Sequence, residues 1–252
     1  MSEKQRTLVN EVSLSGKGLH SGIDVNVTFK PAPPNHGYKF CRTDLPGAPL
    51  IDAIAENVTE TSRGTTLVQG EASVATIEHI LAAFAGMRVD NALIEINGPE
   101  APIMGGSSRM FVEAIKKAGI VEQEEERNYY AIREKITFSD EEHGVDLIIY
   151  PDDRFSAHVL IDYNSKILGN QYAILDQIDD FEKEIAGSRT FVFFHELEPL
   201  FRMGLIRGGD LENAVVILER EVEQEEIEKK KKMFNKPGIT KHNAGVLNNT
   251  KL

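Results

Sequence analysis

The chain has 252 residues, 41% apolar and 27% charged, a balance that fits a soluble globular protein and excludes collagenous, low-complexity and wholly disordered classes. Its 28 lysines and arginines against 40 aspartates and glutamates leave a net charge of −12, which repels nucleic-acid phosphates and anionic lipid headgroups. The single cysteine, Cys41, cannot close an intramolecular disulfide or build a Cys-rich zinc site. No stretch reaches the roughly 18 apolar residues of a membrane span, and the opening residues lack a signal-peptide core. The expectation is a cytoplasmic protein without nucleic-acid partner or membrane span.

From Thr7 the chain reads as strands. TLVNEVSL, a glycine-rich turn GKGLHSG, and IDVNVTFKP with Ile23, Val25, Val27 and Phe29 in alternation predict a β-hairpin. Pro31, Pro33 and Pro34 stop it, because proline lacks the donor a ladder needs. Short strands are predicted at Tyr38 to Arg42 and Pro49 to Ile54. A helix is predicted from an N-cap near Ser73, with Val74, Ile77, Leu81 and Phe84 on one stripe and its end at Gly86. A strand NALIEI follows at Asn91 to Ile96, then a helix over Ser107 to Lys117 presenting Met110, Phe111, Ala114 and Ile115 and stopping at Gly119.

The run EQEEER, Glu122 to Arg127, is self-repulsive and lacks apolar anchors, so it reads as a linker. Beyond it a four-strand meander is predicted from YYAIREKITF, VDLIIYP, FSAHVLIDY and NQYAILDQI. Helices around Phe181 to Ala186 and His195 to Met203 and a strand NAVVIL at Asn213 to Leu218 complete the pattern. NAVVIL echoes NALIEI, which suggests two copies of one α+β unit: residues 1–121, a linker at 122–128, and residues 129–252. The second copy follows its strand with a charged helical stretch, about 219–233, in place of an amphipathic helix. Glu225 to Lys229, Glu226 to Lys230 and Glu228 to Lys232 are i,i+4 pairs worth about 0.2–0.5 kcal/mol each. Val222 and Ile227 make a thin stripe, so this helix is expected as a solvated projection and the second unit as incomplete.

Two groups of residues carry candidate chemistry. Glu78 and His79, adjacent in TIEHILAAF, could serve as a general base beside a metal ligand, or be an ordinary helical pair facing solvent. Partners at chelating distance are not evident. His20 and Asp24 straddle a turn, and His158 and Asp162 sit in a strand that separates them by roughly 13 Å. His36, His143, His195 and His242 stand singly and are expected at the surface. Thr190, before the aromatic run at Phe191, Phe193 and Phe194, could donate to a carbonyl oxygen while the rings line an acyl slot, or the rings could be plain core. The glycine pairs Gly105-Gly106 and Gly208-Gly209 fit no nucleotide-binding pattern.

The segments TLVNEVSLSGKGLHSG, ATIEHILAAFAGMRVDNALIEINGPEAPIMGGSS and GSRTFVFFHELEPLFRMGLIRGGDLENAVV resemble the zinc-dependent UDP-3-O-acyl-N-acetylglucosamine deacetylases of lipid A biosynthesis, in family order from about Thr7 to Ile217. The resemblance implies two sheet-plus-helix units packed helix layer to helix layer around the site. It implies Zn²⁺ as cofactor and removal of an N-acetyl group from a UDP-linked acyl sugar. Carried over by motif, Glu78 resembles the general base, His79 a zinc ligand and Thr190 the hydroxyl donor to the carbonyl. Phe191, Leu197, Ile206 and Leu211 resemble the lining of the acyl passage, with Leu19 near its mouth. The family follows its NA-strand with a helix carrying a His-x-x-x-Asp ligand pair and later with a Gly-His acid; neither follows NAVVIL here, and PIMGGS, with Gly105, stands where the family has PIMDGS. The charged helix from Glu219 is similar to an insertion found where the deacetylase is fused to a 3-hydroxyacyl-carrier-protein dehydratase, which implies that domain, fused or separate, as a partner. The other reading is a metal-free module that binds UDP-sugar and acyl chain without catalysis.

Overall fold

The computed structural model describes residues 3–220, 222–234 and 246–247; His242 lies outside them. The first half contains β1 (Lys4–Leu8), β2 (Val12–Lys17), β3 (Asp24–Pro31), β4 (Tyr38–Arg42), β5 (Leu50–Asp52), β6 (Val58–Glu60), β7 (Thr66–Gln69) and β8 (Ala72–Val74). It continues with α1 (Glu78–Gly86), β9 (Ala92–Ile96), α2 (Arg109–Ala118) and β10 (Ile120–Glu126). The β2–β3 hairpin forms, but the strand expected over TLVNEVSL is broken into β1, which pairs with β10, and β2, which runs on through Gly16 and Lys17 of the expected turn. Strand β9 inserts beside β3 to give a five-stranded sheet in the order β2-β3-β9-β4-β5, parallel only between β4 and β9. Alternation decides its inner face. Val25, Val27 and Phe29 point inward while Asp24 and Asn26 face out. Phe29 meets both helices, 4.8 Å from Phe84 of α1 and 6.1 Å from Phe111 of α2 between ring centroids.

Two expectations are corrected here. The first helix begins at Glu78, since Ala72–Val74 is a strand of the β6-β7-β8 sheet with Ala72 and Val74 turned into the core. Thr76 stands at φ +57° between strand and helix, a left-handed conformation that no α-helix accommodates. The acidic run expected as a linker is most of β10, antiparallel to β1. Its like charges are met from across the ladder: Arg6 lies 3.2 Å from Glu122, and Lys4 Nζ donates to the Glu124 carbonyl at 2.6 Å. The cross-strand cations relieve the repulsion that the isolated run suggested.

The second half contains β11 (Ile136–Asp140), β12 (Val145–Ile149), β13 (Ala157–Asp162), β14 (Asn170–Leu175), α3 (Phe181–Glu184), β15 (Phe191–Phe193), α4 (Leu197–Arg202), β16 (Val215–Ile217), α5 (Gln224–Phe234) and β17 (Val246–Leu247). The protein is thus of the α+β class. Among the described residues the expected meander is two separate hairpins, β11–β12 and β13–β14, while β15 and β16 pair in parallel and β17 joins β16 antiparallel.

The charged helix α5 is not a solvated projection. Ile227 is 0% exposed and Val222 4%, and both pack with Val192, Phe194, Leu200, Val216 and Leu218 in a second apolar cluster. Two well-placed apolar side chains suffice because the cluster around them is already formed by β15, β16 and α4. Lys231, rather than the expected Lys232, reaches Glu228, at 2.6 Å.

The halves are tied together. The Thr190 amide donates to the Gly106 carbonyl at 2.8 Å and the Gly208 amide to the Leu19 carbonyl at 3.0 Å. Arg189 Nε donates to the Gly105 carbonyl at 3.0 Å, so the backbone at Gly105 has a defined partner. Among the described residues no helix is long and apolar enough to cross a membrane.

Candidate functional site

A cavity of about 110 Å³ opens where the β2–β3 turn meets β15, β16 and α4. Its wall collects Leu19, Thr190, Phe191, Leu197, Ile206 and Leu211, every acyl-lining residue expected from the sequence together with the expected hydroxyl donor. Val192 and Val216 add to the wall; they face each other across the parallel β15–β16 pair. Their side chains come from positions remote in sequence, so the pocket exists only once the two halves are docked. Its walls are mainly aliphatic and aromatic, with His20, Arg63 and Asp210 as charged or polar members. A lining of this kind is complementary to apolar groups.

Thr190 is fixed by its backbone. Its amide donates to the Gly106 carbonyl and its carbonyl accepts from the Val215 amide at 3.0 Å, which holds the residue just ahead of β15. Gly106 makes that approach feasible: it stands at φ +77°, and a Cβ there would lie 2.0 Å from the Asn213 carbonyl oxygen. Only glycine meets both demands.

Glu78 and His79 are not part of the cavity wall. Glu78 is the first residue of α1, where the helix dipole favours a carboxylate, and its Oε2 accepts the Thr65 amide at 3.0 Å. Thr65 is two residues from Arg63, which lines the cavity, and the Arg63 carbonyl meets His20 Nε2 at 3.2 Å. The 63–65 loop therefore bridges the Glu78 carboxylate and the cavity wall. His79 is half-buried; burial lowers its pKa, opposed by the Glu78 charge. A neutral imidazole is the form that binds a metal.

His20 was set aside in the sequence because its spacing to Asp24 cannot chelate an ion. It proves to be a cavity residue instead, and its Nδ1 is buried with no hydrogen-bond partner among the described residues. Arg63, also missed, stands at φ +61° with its guanidinium 2.5 Å from Glu196 of the other half. Burial, the largest single influence, pushes the Glu196 carboxyl up, but the Arg63 hydrogen bond, the Phe193 amide and the nearby Arg63 and His195 charges together hold it below its ordinary range. No local pattern announces either contact, since the partners lie 43 and 133 positions away.

Zinc held tightly by protein usually has three or four protein ligands. Among the described residues no three His, Cys, Asp or Glu side chains converge on one point. The described residues do not amount to a zinc site by themselves; His79 is one imidazole.

Residues 5–234 match the family described as UDP-3-O-acyl N-acetylglycosamine deacetylase, LpxC. The chain belongs to that family. It is 49% identical over 249 residues to the bifunctional enzyme LpxC/FabZ of Bacteroides thetaiotaomicron, covering 99% of this chain and 54% of the relative. It is 47% identical over 250 residues to the protein of the same name from Porphyromonas gingivalis, again covering 99% and 54%. The UDP-3-O-acyl-N-acetylglucosamine deacetylase of Myxococcus xanthus is 44% identical over 217 residues, 86% of this chain and 68% of that protein. The chain spans about half the length of the bifunctional relatives it matches. Family membership accounts for the motif order from the β2–β3 turn through the α1 start to β15 and β16.

Proposed function

We propose that this chain contributes the general base, a hydroxyl donor and the acyl-chain cavity of a deacetylase that releases acetate from UDP-3-O-acyl-N-acetylglucosamine in lipid A biosynthesis. What supports the reading is one mainly apolar cavity whose wall gathers Leu19, Thr190, Phe191, Leu197, Ile206 and Leu211, one loop away from the Glu78 carboxylate. The cavity would hold the 3-O-acyl chain and thereby bring the acetamide to the mouth. Glu78 would take the proton of the attacking water and Thr190 would donate to the carbonyl oxygen as negative charge develops on it. Acetate leaves, and the sugar keeps a free amine.

Zn²⁺ belongs to this proposal as the cofactor, with His79 as one ligand; bound there it would polarise the carbonyl and acidify water. The remaining ligands and the acid histidine are not among these 252 residues, so the chain by itself is expected to give negligible turnover. The cytoplasm remains the proposed compartment, and a dehydratase domain the proposed partner. The metal-free binding module is a second reading, favoured by the lack of three convergent ligands among the described residues.

The deciding experiment uses the polypeptide extended to the full length of its bifunctional relatives, assayed for acetate release and zinc content. Glu78→Gln should lower kcat by about 10²- to 10⁴-fold while zinc stays stoichiometric; His79→Ala should lose the zinc. An extended protein that binds the acylated sugar, carries no zinc and releases no acetate establishes the binding module instead.

A further inference from the structure

Glu100 is a carboxylate with 3% of its surface exposed, sunk between two loops of the candidate site. Three neutral donors converge on it. Its Oε1 accepts the His20 amide at 2.9 Å and the Thr76 hydroxyl at 3.0 Å, and its Oε2 accepts the Ser21 amide at 2.8 Å. The backbone beneath is also tied: the Ala75 amide donates to the Pro99 carbonyl and the Ala101 amide to the Ala75 carbonyl, both at 2.9 Å. Gly18 leaves the room that the side chain fills, since a Cβ there would stand 2.4 Å from Glu100 Oε2.

The two loops so joined have different duties. Leu19 and His20, on the β2–β3 turn, line the cavity. Thr76, buried at φ +57°, precedes Glu78 and His79 by two and three residues. A β-branched residue is strained in that conformation and persists there only when its surroundings over-determine it; the bond from its hydroxyl to Glu100 is one such constraint. An ionised carboxylate matches three incoming donors, whereas an amide would turn an N–H toward one of them.

We infer that Glu100 is a positioning residue that fixes this part of the cavity wall relative to the turn carrying Glu78 and His79. It acts through His20, Ser21 and Thr76 and touches no reacting atom. The inference rests on the deacetylase reading for its effect on rate, but not for its effect on the wall.

Glu100→Gln, Glu100→Asp and Thr76→Val separate the two ties. In the full-length polypeptide Glu100→Gln should raise KM and lower kcat by at least about tenfold each, because a misplacement of about 1 Å costs on the order of a hundredfold. Thr76→Val cuts only the tie to the catalytic turn and should lower kcat with KM unchanged. Glu100→Asp, which keeps the charge, should recover part of both. In the 252-residue chain, NMR should show the His20 and Ser21 amide protons moving upfield and octanoate affinity falling in Glu100→Gln but not in Thr76→Val. A Glu100→Gln protein that melts earlier yet keeps kcat, KM and octanoate affinity would overturn the inference, as would equal changes of KM and kcat in Thr76→Val. If Glu100→Gln does not fold, Thr76→Val and Glu100→Asp still decide. Failure of the unsubstituted full-length protein to release acetate sinks the deacetylase reading alone, and the amide and octanoate measurements then judge Glu100.

Discussion

Residues 4–126 and the hairpins of residues 136–175 are both rich in alternating apolar positions, yet they end in opposite surroundings. In the first region Phe29, Phe40, Phe84 and Phe111 are all 0% exposed, because the inner face of the five-stranded sheet is covered by α1 and α2. In the hairpins Phe138 is 58% exposed and Leu160 69%, although each sits directly opposite another apolar residue, Leu147 and Tyr172. Alternation thus specifies which face of a strand is apolar. Whether that face becomes a core depends on what packs against it.

The sharpest test is a pair of truncations of similar chemistry. Phe84→Ala removes a ring that contacts Phe29 and Tyr38 and should cost about 3–5 kcal/mol in denaturant unfolding, as buried aromatic truncations do. Leu160→Ala should stay within about 0.5 kcal/mol. Equal losses would erase the distinction between the two regions.

Gly106→Ala should come next. The new methyl group meets the Asn213 carbonyl at 2.0 Å and the backbone is held at φ +77°, so a strain of about 1–3 kcal/mol is expected. The damage should be local to the junction. Hydrogen exchange would then accelerate at the Thr190 and Val215 amides, which bond across or beside that junction, while amides of β3 and β9 keep their protection. Uniform acceleration would mean that the junction and the first core unfold as one unit. In the unsubstituted chain the hairpin amides are expected to exchange faster than those of β3 and β9, since their ladders are two-stranded and solvated.

The same contrast explains what could be read from the residues. The β2–β3 hairpin, β9 and α2 with its stop at Gly119 were legible because their signals are local: alternation, a 3.6-residue period and a glycine terminator. Ser73 misled because a good N-cap residue lies inside β8, where pairing with Val68 outweighs local preference. The role of β10 was hidden because its partners, Arg6 at the Glu122 carboxylate and Lys4 at the Glu124 carbonyl, lie more than a hundred positions upstream. Thr190 and its apolar companions were named by motif, and the fold brings them together around one cavity. His20, Arg63 and Glu100 carried no local mark, since each takes its meaning from a partner brought in by the fold.

The smallest expected effect lies at Glu3, beside the boundary between the regions. Arg88 and Tyr129 donate to its carboxylate, Arg127 stands 3.1 Å away, and together they hold its pKa down to about 2, with the Arg88 hydrogen bond the largest cause. An unfolded glutamate takes up its proton near about pH 4.3. Between there and about 2 the unfolded chain therefore binds more protons than the folded one, so this group's stabilisation is complete above that window and disappears as pH falls through it. Because Glu3 is 47% exposed, solvent and salt screen the pair, and Glu3→Gln should cost only about 0–1 kcal/mol at neutral pH. Its signature is instead the slope. Melting temperature followed from pH 5 down to 2 should fall less steeply in Glu3→Gln than in the unsubstituted chain, and 1 M salt should narrow the gap. Parallel curves would mean that the Arg88 and Arg127 contacts hold β1 no more firmly with the charge than without it, leaving the β1–β10 ladder to fasten that edge of the first region.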